Sequence, residues 1–431
     1  MKIRKAIKSD SVKDFSSLFF SNIVQKFFGL VREIVIAAVF SSSLIYAHFL
    51  MLQSVTGIFS QFTSGNSMRT NLLPRLTKII DKYGKISLHE TDRTLKPIIF
   101  WIFIIMQVIQ TIVILALDSE YSEYLFPVSF VLSAIVCFNF YNSIYLTILQ
   151  AKGEFVKYSV AAALNEFVVI VFIYPLVFMI SELKSLVFAI FGLIFSRVFG
   201  YFSIIYFYVL PMQKKNDGYN LTLGKSDFNI PTLILGNFAN IIIFISRIVS
   251  GSDGGESITY FSYAIFLLNA ILTAVIANIS TLLLKRLSVK KDSNFMFYSV
   301  LISVVVGIML VIGLHWHGQT LVELIFVRGN FELVDAIQTT KYLKELSYSF
   351  IFIFIATTLF QPFFSLRLEE SNKQRKDMSK IFISTIILSL LFAFTQDYGV
   401  EVESLVVIYT CSFVSLVLSI YSYVFYLKES K

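Results

Sequence analysis

"KFFGLVREIVIAAVF", residues 26–40, is apolar enough to lie in lipid, yet it carries Lys26, Arg32 and Glu33. Charge inside hydrocarbon is costly, and where it persists it faces a partner, a cavity or a ligand path. On a helix, Gln25, Gly29 and Arg32 fall at i, i+4 and i+7 and share one stripe. Lys26 and Glu33, seven apart, share the neighbouring stripe. Gly29 lets another helix or a ligand come close. Two readings stand for Lys26 and Glu33: structural neutralisation of one another or of another helix, or part of a binding surface. Arg32 and Glu33 are sequence neighbours and are expected to point away from each other, so Arg32 has no obvious internal acid. A guanidinium facing a cavity suits phosphate, which its planar fork grips bidentately.

The rest of the chain shares this character. Apolar residues make up 56% of 431, charged residues 15%, and the mean hydropathy is +0.75. Soluble proteins are roughly half apolar and about a quarter charged, so an all-α integral membrane protein is expected. The net charge of +8 does not point to nucleic acid, because the basic residues sit in short loops between apolar runs. Cys137 and Cys411 lie inside apolar runs and read as inert core residues. Residues 1–14 are polar and lead into a charged span without a small-residue cleavage site, so no cleaved leader is expected.

A membrane span needs about 20 mostly apolar residues. Twelve runs qualify: 15–40, 44–66, 97–117, 125–149, 158–180, 184–210, 230–250, 257–284, 295–315, 344–366, 379–396 and 403–427. Lysine and arginine concentrate in the first tail and in the loops after even-numbered spans, as in Arg75, Lys78, Lys82 and Lys85, or Lys373, Arg375, Lys376 and Lys380. The odd loops are acidic instead, with Asp118, Glu120 and Glu123 in one and Asp397, Glu401 and Glu403 in another. Basic loops mark the cytoplasmic side, so both termini are expected inside. The outer connection 315–343 reads as short amphipathic helices at the membrane surface. His315 and His317 there suit an interfacial anchor better than a metal site, and no metal, cofactor or catalytic residue is expected.

The two halves echo each other. Asn22 precedes Arg32 by ten residues, as Asn237 precedes Arg247. "NLLPRLTK" (71–78) matches "TLLLKRLS" (281–288), and "IYLTILQAKGEFVK" (144–157) matches "FFSLRLEESNKQRK" (363–376). The order and spacing predict two pseudo-symmetric six-helix lobes, 1–210 and 230–431, around a central cavity, with 211–229 as the cytoplasmic linker. Other intramembrane polar residues are candidates too. Arg247 lies near the outer end of span seven and either snorkels or binds. Arg197, between Gly192 and Gly200, either lines the cavity or pairs with Glu166. His48 either faces the cavity or packs as a satisfied histidine. Asn139, Tyr141 and Asn142 read as interhelical hydrogen-bond glue.

These residues resemble the MurJ/MviN flippases of the multidrug/oligosaccharidyl-lipid/polysaccharide (MOP) exporter superfamily. "KFFGLVRE" is similar to that family's first-helix basic-x-x-Gly-x-x-Arg-Asp motif, placing Lys26, Gly29, Arg32 and Glu33 on its positions. "LIFVRGNFELVDA" (324–336) resembles its Leu-Phe-x-x-Gly-x-Phe segment, and the ends of spans four and ten also match. The resemblance implies a cationic cavity and outward flipping of an undecaprenyl-pyrophosphate-linked glycan by alternating access, in a bacterial cytoplasmic membrane. Its lipid II members usually have fourteen helices, where twelve are read here. Several of the family's charged positions are replaced: Tyr46 stands for an early helix-two Asp, Phe59, Ser60 and Ser64 for an Arg pair and a following acid segment, and Ser262–Tyr263 for Asp-Arg. The expected substrate is therefore a lipid-linked anionic glycan, either lipid II-like or a capsule or O-antigen unit, with membrane lipids and glycan-synthesis enzymes as partners.

Two other classes bear on the same residues. An ion-coupled multidrug antiporter on this scaffold would need a buried acid, and only Glu33 and Glu166 qualify. A membrane glycosyltransferase or polymerase would need catalytic acids on a sizeable outer loop, where only Glu323, Glu332 and Asp335 are scattered.

Overall fold

The computed structural model describes residues 27–63, 86–87, 89–117, 120–154, 186–213, 219–221, 229–276, 293–366, 368–395 and 398–429, with scattered positions at 72–83, 157–172 and 279–287. Apart from one two-residue parallel ladder, the regular structure among them is helical. In lipid the backbone must satisfy its own hydrogen bonds, which a helix does within one segment. The helices are α1 (27–40), α2 (Leu44–Thr63), α3 (His89–Leu117), α4 (Ser122–Ala151), α5 (Leu186–Ile204), α6 (Ile230–Gly236), α7 (Phe238–Val249), α8 (Ser257–Ile271), α9 (Ser293–Phe326), α10 (Leu333–Leu359), α11 (Gln361–Ser365), α12 (Leu368–Thr395) and α13 (Val400–Glu429). Eight helical stretches among the described residues are long and apolar enough to span a membrane, or nine if the α6–α7 pair, bent by 73° at Asn237, counts as one span. The chain is a multi-pass membrane protein. α2 carries His48, Gln53 and Gln61 and is not among the eight; the expected spans 15–40 and 158–180 fall partly outside the described residues.

The described residues form two units: those up to Ile36 with Val55–Gly236, and Ala37–Ser54 with Asn237–Lys431. In the first unit α3 packs on α4 and α4 on α5. Polar side chains join these helices where apolar packing alone would leave register open. Gln107 donates to Ser129 (3.0 Å) and accepts from Ser133 (3.2 Å), while Gln110 donates to Thr56 (2.6 Å). Two of the three residues expected as glue in span four join helices: Asn142 donates to the Tyr201 carbonyl, and Gln213 donates to the Tyr141 hydroxyl. The described part of the expected linker is tied down as well. Tyr219–Asn220 pairs with Ile86–Ser87, and Thr91 donates to the Leu221 carbonyl at 2.7 Å.

The second unit is built around α10, which packs against α8, α9 and α13; α12 and α7 also pack on α13. About 67% of the most apolar stretch of α10 is buried, against 22% for α9, so α10 is central in this unit and α9 peripheral. Val305, Met309, Ile312 and Trp316 form the exposed stripe of α9. A Cβ at Gly307 would sit 3.2 Å from Ile351, so glycine is what lets α9 approach α10 closely there.

Two expectations change. The connection 315–343 is not a pair of surface helices. α9 runs on to Phe326 and α10 begins at Leu333, so only 327–332 is loop. The 34 residues of α9 span about 50 Å, well beyond the roughly 30 Å hydrocarbon core. The amphipathic pattern arises because one face packs on the partner helix: Gly318 faces Thr340, and Tyr348 hydrogen-bonds His315 at 3.0 Å. Arg375, read as a topology-setting loop charge, is instead 2% exposed inside α12. Helix α11 ends at Ser365, and the Leu366 N–H closes its last turn on the Phe363 carbonyl at 3.3 Å. Arg375 reaches the carbonyls of Phe363 and Leu366 at 3.2 and 3.3 Å, bonds Ser371, and lies over the rings of Phe363 and Phe364. Replacing it with Met should lower the unfolding free energy by about 2–4 kcal/mol. Lys should rescue little, since it cannot span two carbonyls and stack on a ring at once. Thermal unfolding of the purified variants checks this, and an unshifted midpoint for Arg375→Met refutes it.

Candidate functional site

α1 brings two of its three charges together. Arg32 donates to Glu33 Oε1 from Nε at 3.2 Å and from a terminal nitrogen at 2.8 Å. Their side chains are 17% and 14% exposed. This corrects the expectation that sequence neighbours point apart. Both side chains are long enough to curl across the helix surface, and in an apolar segment the gain from neutralising two charges outweighs the cost of bending them together. The formal charges of Arg32 and Glu33 offset each other within this contact. Lys26, Gln25 and Asn22 lie outside the described residues, as does Glu166. Gly29 is buried, and a Cβ there would meet nothing within 4 Å among the described residues. Phe28 meets Phe167 edge-on at 5.8 Å, which sets the face of α1 turned toward the 157–172 segment. Arg197 is half-buried in α5, between the half-buried Gly192 and the buried Gly200.

A second group forms in the other unit. α2 presents His48 and Gln53 to the end of α7 and its following turn. Arg247 donates to Gln53 Oε1 at 3.3 Å. His48 is 5% exposed, and its Nε2 lies 3.1 Å from the Gly254 carbonyl. Because a carbonyl only accepts, Nε2 carries the proton. Gly254 has φ +71, a left-handed conformation that glycine adopts without strain, and the histidine fixes the turn it closes. His48 thus ties α2 to the 251–256 turn. Arg247 and Arg32 belong to different units.

The sequence reading passed over residues that the fold brings together. Ser41, Tyr260, Asn330 and Asp335 converge just past the C-terminal end of α1, and Arg375 is buried inside α12. Ser41 carries no local signal. Asp335 sits in the family-like segment 324–336, which marked the segment but not the contact.

No protein-family model matches the sequence, and no curated protein does. Solved structures do match. A lipid II flippase MurJ in an inward closed conformation aligns over 95% of this chain and 87% of its own, with a TM-score of 0.71 at 18% identity. An outward-facing multidrug resistance MATE family transporter of the MOP superfamily aligns over 98% and 96%, with a TM-score of 0.61 at 14% identity. A MOP superfamily transporter from Pyrococcus furiosus Vc1 aligns over 98% and 96%, with a TM-score of 0.58 at 14% identity. The chain has the fold shared by the MurJ flippase and the MATE transporters.

The packed reading of His48 has a direct consequence. His48→Phe should keep the ring but leave the Gly254 carbonyl without this donor, lowering stability by about 1–2 kcal/mol. Thermal unfolding of the purified variant checks this, and an unshifted midpoint refutes it.

Proposed function

We propose that this chain is a flippase that moves an undecaprenyl-pyrophosphate-linked glycan from the inner to the outer leaflet of a bacterial cytoplasmic membrane by alternating access, with both termini cytoplasmic. The observation that carries this reading is Arg32, a partly buried cation in an apolar helix, on a fold like that of a lipid II flippase. A diphosphate head group crossing about 30 Å of hydrocarbon needs its charge met by protein while the isoprenoid tail stays in lipid. A guanidinium offers the fork that a phosphate accepts, and Lys26, Arg197 and Arg247 are the further cations proposed to contact the substrate. Binding would require the phosphate to compete with Glu33 for Arg32. The protein would transport rather than transform its lipid, without cofactor, and would act beside the enzymes that build and use that lipid.

The head group would differ from lipid II. Tyr46 and Tyr263 stand where the resembled family has charges, and they are 3% and 1% exposed among other aromatic rings. Side chains packed in this way offer a head group no charge, which favours a capsule or O-antigen unit. A drug antiporter remains the second reading, favoured by the likeness to the MATE transporter over 98% of this chain. Its coupling acid would be Glu33 or Glu166, and Glu33 is engaged by Arg32.

Complementation of flippase-deficient strains, one lacking lipid II export and one lacking polysaccharide-unit export, tests the assignment. Arg32→Ala should abolish rescue, and Arg32→Lys should restore part of it, because charge survives while the fork is lost. Full rescue by an Arg32→Ala protein present at normal level would sink the proposal. Cation-dependent drug efflux from vesicles without rescue would favour the antiporter.

A further inference from the structure

The outer end of α1 is held by an unusual set of bonds. Just past the helix, Ser41 has φ +47, a left-handed conformation that costs a serine energy and that glycine more often fills. Its N–H bonds the Ala37 carbonyl at 2.9 Å. The next two carbonyls of the last turn, Ala38 and Val39, have no helical donor beyond this point. Asn330 of the α9–α10 loop takes both. Its backbone N–H donates to Ala38 at 2.8 Å and its side-chain amide to Val39 at 2.8 Å. The approach is close enough that a Cβ on Gly329 (φ +61) would lie 2.4 Å from the Ala38 oxygen, so glycine is required there on both counts.

Side chains complete the arrangement. The Asp335 carboxylate accepts from the Ser41 hydroxyl at 2.7 Å, from the Glu332 N–H at 2.8 Å and from the Tyr260 hydroxyl at 3.2 Å. Tyr263 donates to the Ser41 carbonyl at 3.2 Å, which closes a circuit of α1, the loop and α8. Below it, Tyr263 packs on Phe326 and Phe331, and Tyr46 stacks on Phe40 at 4.7 Å with rings 14° apart. All of these residues belong to the second unit, whereas α1 up to Ile36 and α2 from Val55 belong to the first.

We propose that the α9–α10 loop is a strap that caps α1 and fixes the α1–α2 turn, and that it opens as one piece without unfolding either α9 or α10. Asn330 and Glu332 are exposed, so the bonds at the rim can trade with water. Phe331 alone anchors the loop apolarly, at 1% exposure. The strained Ser41 conformation is sustained by these external bonds and stores a tendency to spring away once they are lost. The positions where the resembled family carries charge, Tyr46 and Tyr263, are thereby given a use in which no substrate takes part. The strap does not depend on which substrate the chain carries.

Hydrogen exchange on the intact protein in nanodiscs tests this. Asn330→Ala and Asp335→Asn, the first removing one side-chain bond and the second replacing a charged acceptor, should each speed exchange in residues 39–44 and in 328–333 together. The increase should be about tenfold or more, with 342–358 in the core of α10 unchanged. Acceleration confined to the segment bearing the substitution, or no change in either segment while 342–358 stays protected, would overturn the strap. Asn330→Ala is the milder change and keeps the test decisive if Asp335→Asn does not fold.

Discussion

A helix satisfies its backbone hydrogen bonds along its length and leaves carbonyls over at its end, and this structure is organised by how those ends are met. Where helices end or break, a partner from elsewhere in the chain supplies what the backbone lacks. Asn330 takes the carbonyls of Ala38 and Val39, and Arg375 takes those of Phe363 and Leu366. Such partners are few, and each is tied to one geometry, so the ends of helices specify the packing more sharply than their apolar faces do.

The same scarcity governs charge. Arg32 and Glu33 neutralise one another rather than face lipid alone. Within the pair each charge is met over a short distance, which lowers the cost of holding either one in low dielectric. The second unit meets the constraint differently: where the resembled family places charges it buries tyrosines, each with an aromatic neighbour, and keeps the hydroxyl of Tyr263 for a backbone carbonyl.

Some readings carried through to the structure because they depend on composition summed over a window. Apolar runs announced membrane helices, and the described residues bear these out at Arg93–Leu117, Ser122–Ala151 and Leu186–Gln213, close to the expected 97–117, 125–149 and 184–210. The interhelical role read for Asn142 also held, since a buried amide in lipid must find a partner. Readings that rested on where a side chain points did not carry through. Arg32 was expected to face away from Glu33, and residues 315–326 were expected to leave the α9 axis, because helical periodicity describes a lone helix and not one packed on a neighbour.

The sequence by itself determined an all-helical membrane protein and most of the long apolar stretches that form its helices. Hydropathy and period are local sums, and lipid makes them decisive. Only the tertiary structure decided which polar groups meet. Ser41 and Asp335 are 294 residues apart, and Asn330 lies 291 from Val39. No spacing within a segment encodes such pairs. They exist because α9 and α10 form one hairpin whose loop sets Asn330 on the end of α1, where the carbonyls of Ala38 and Val39 have no helical donor.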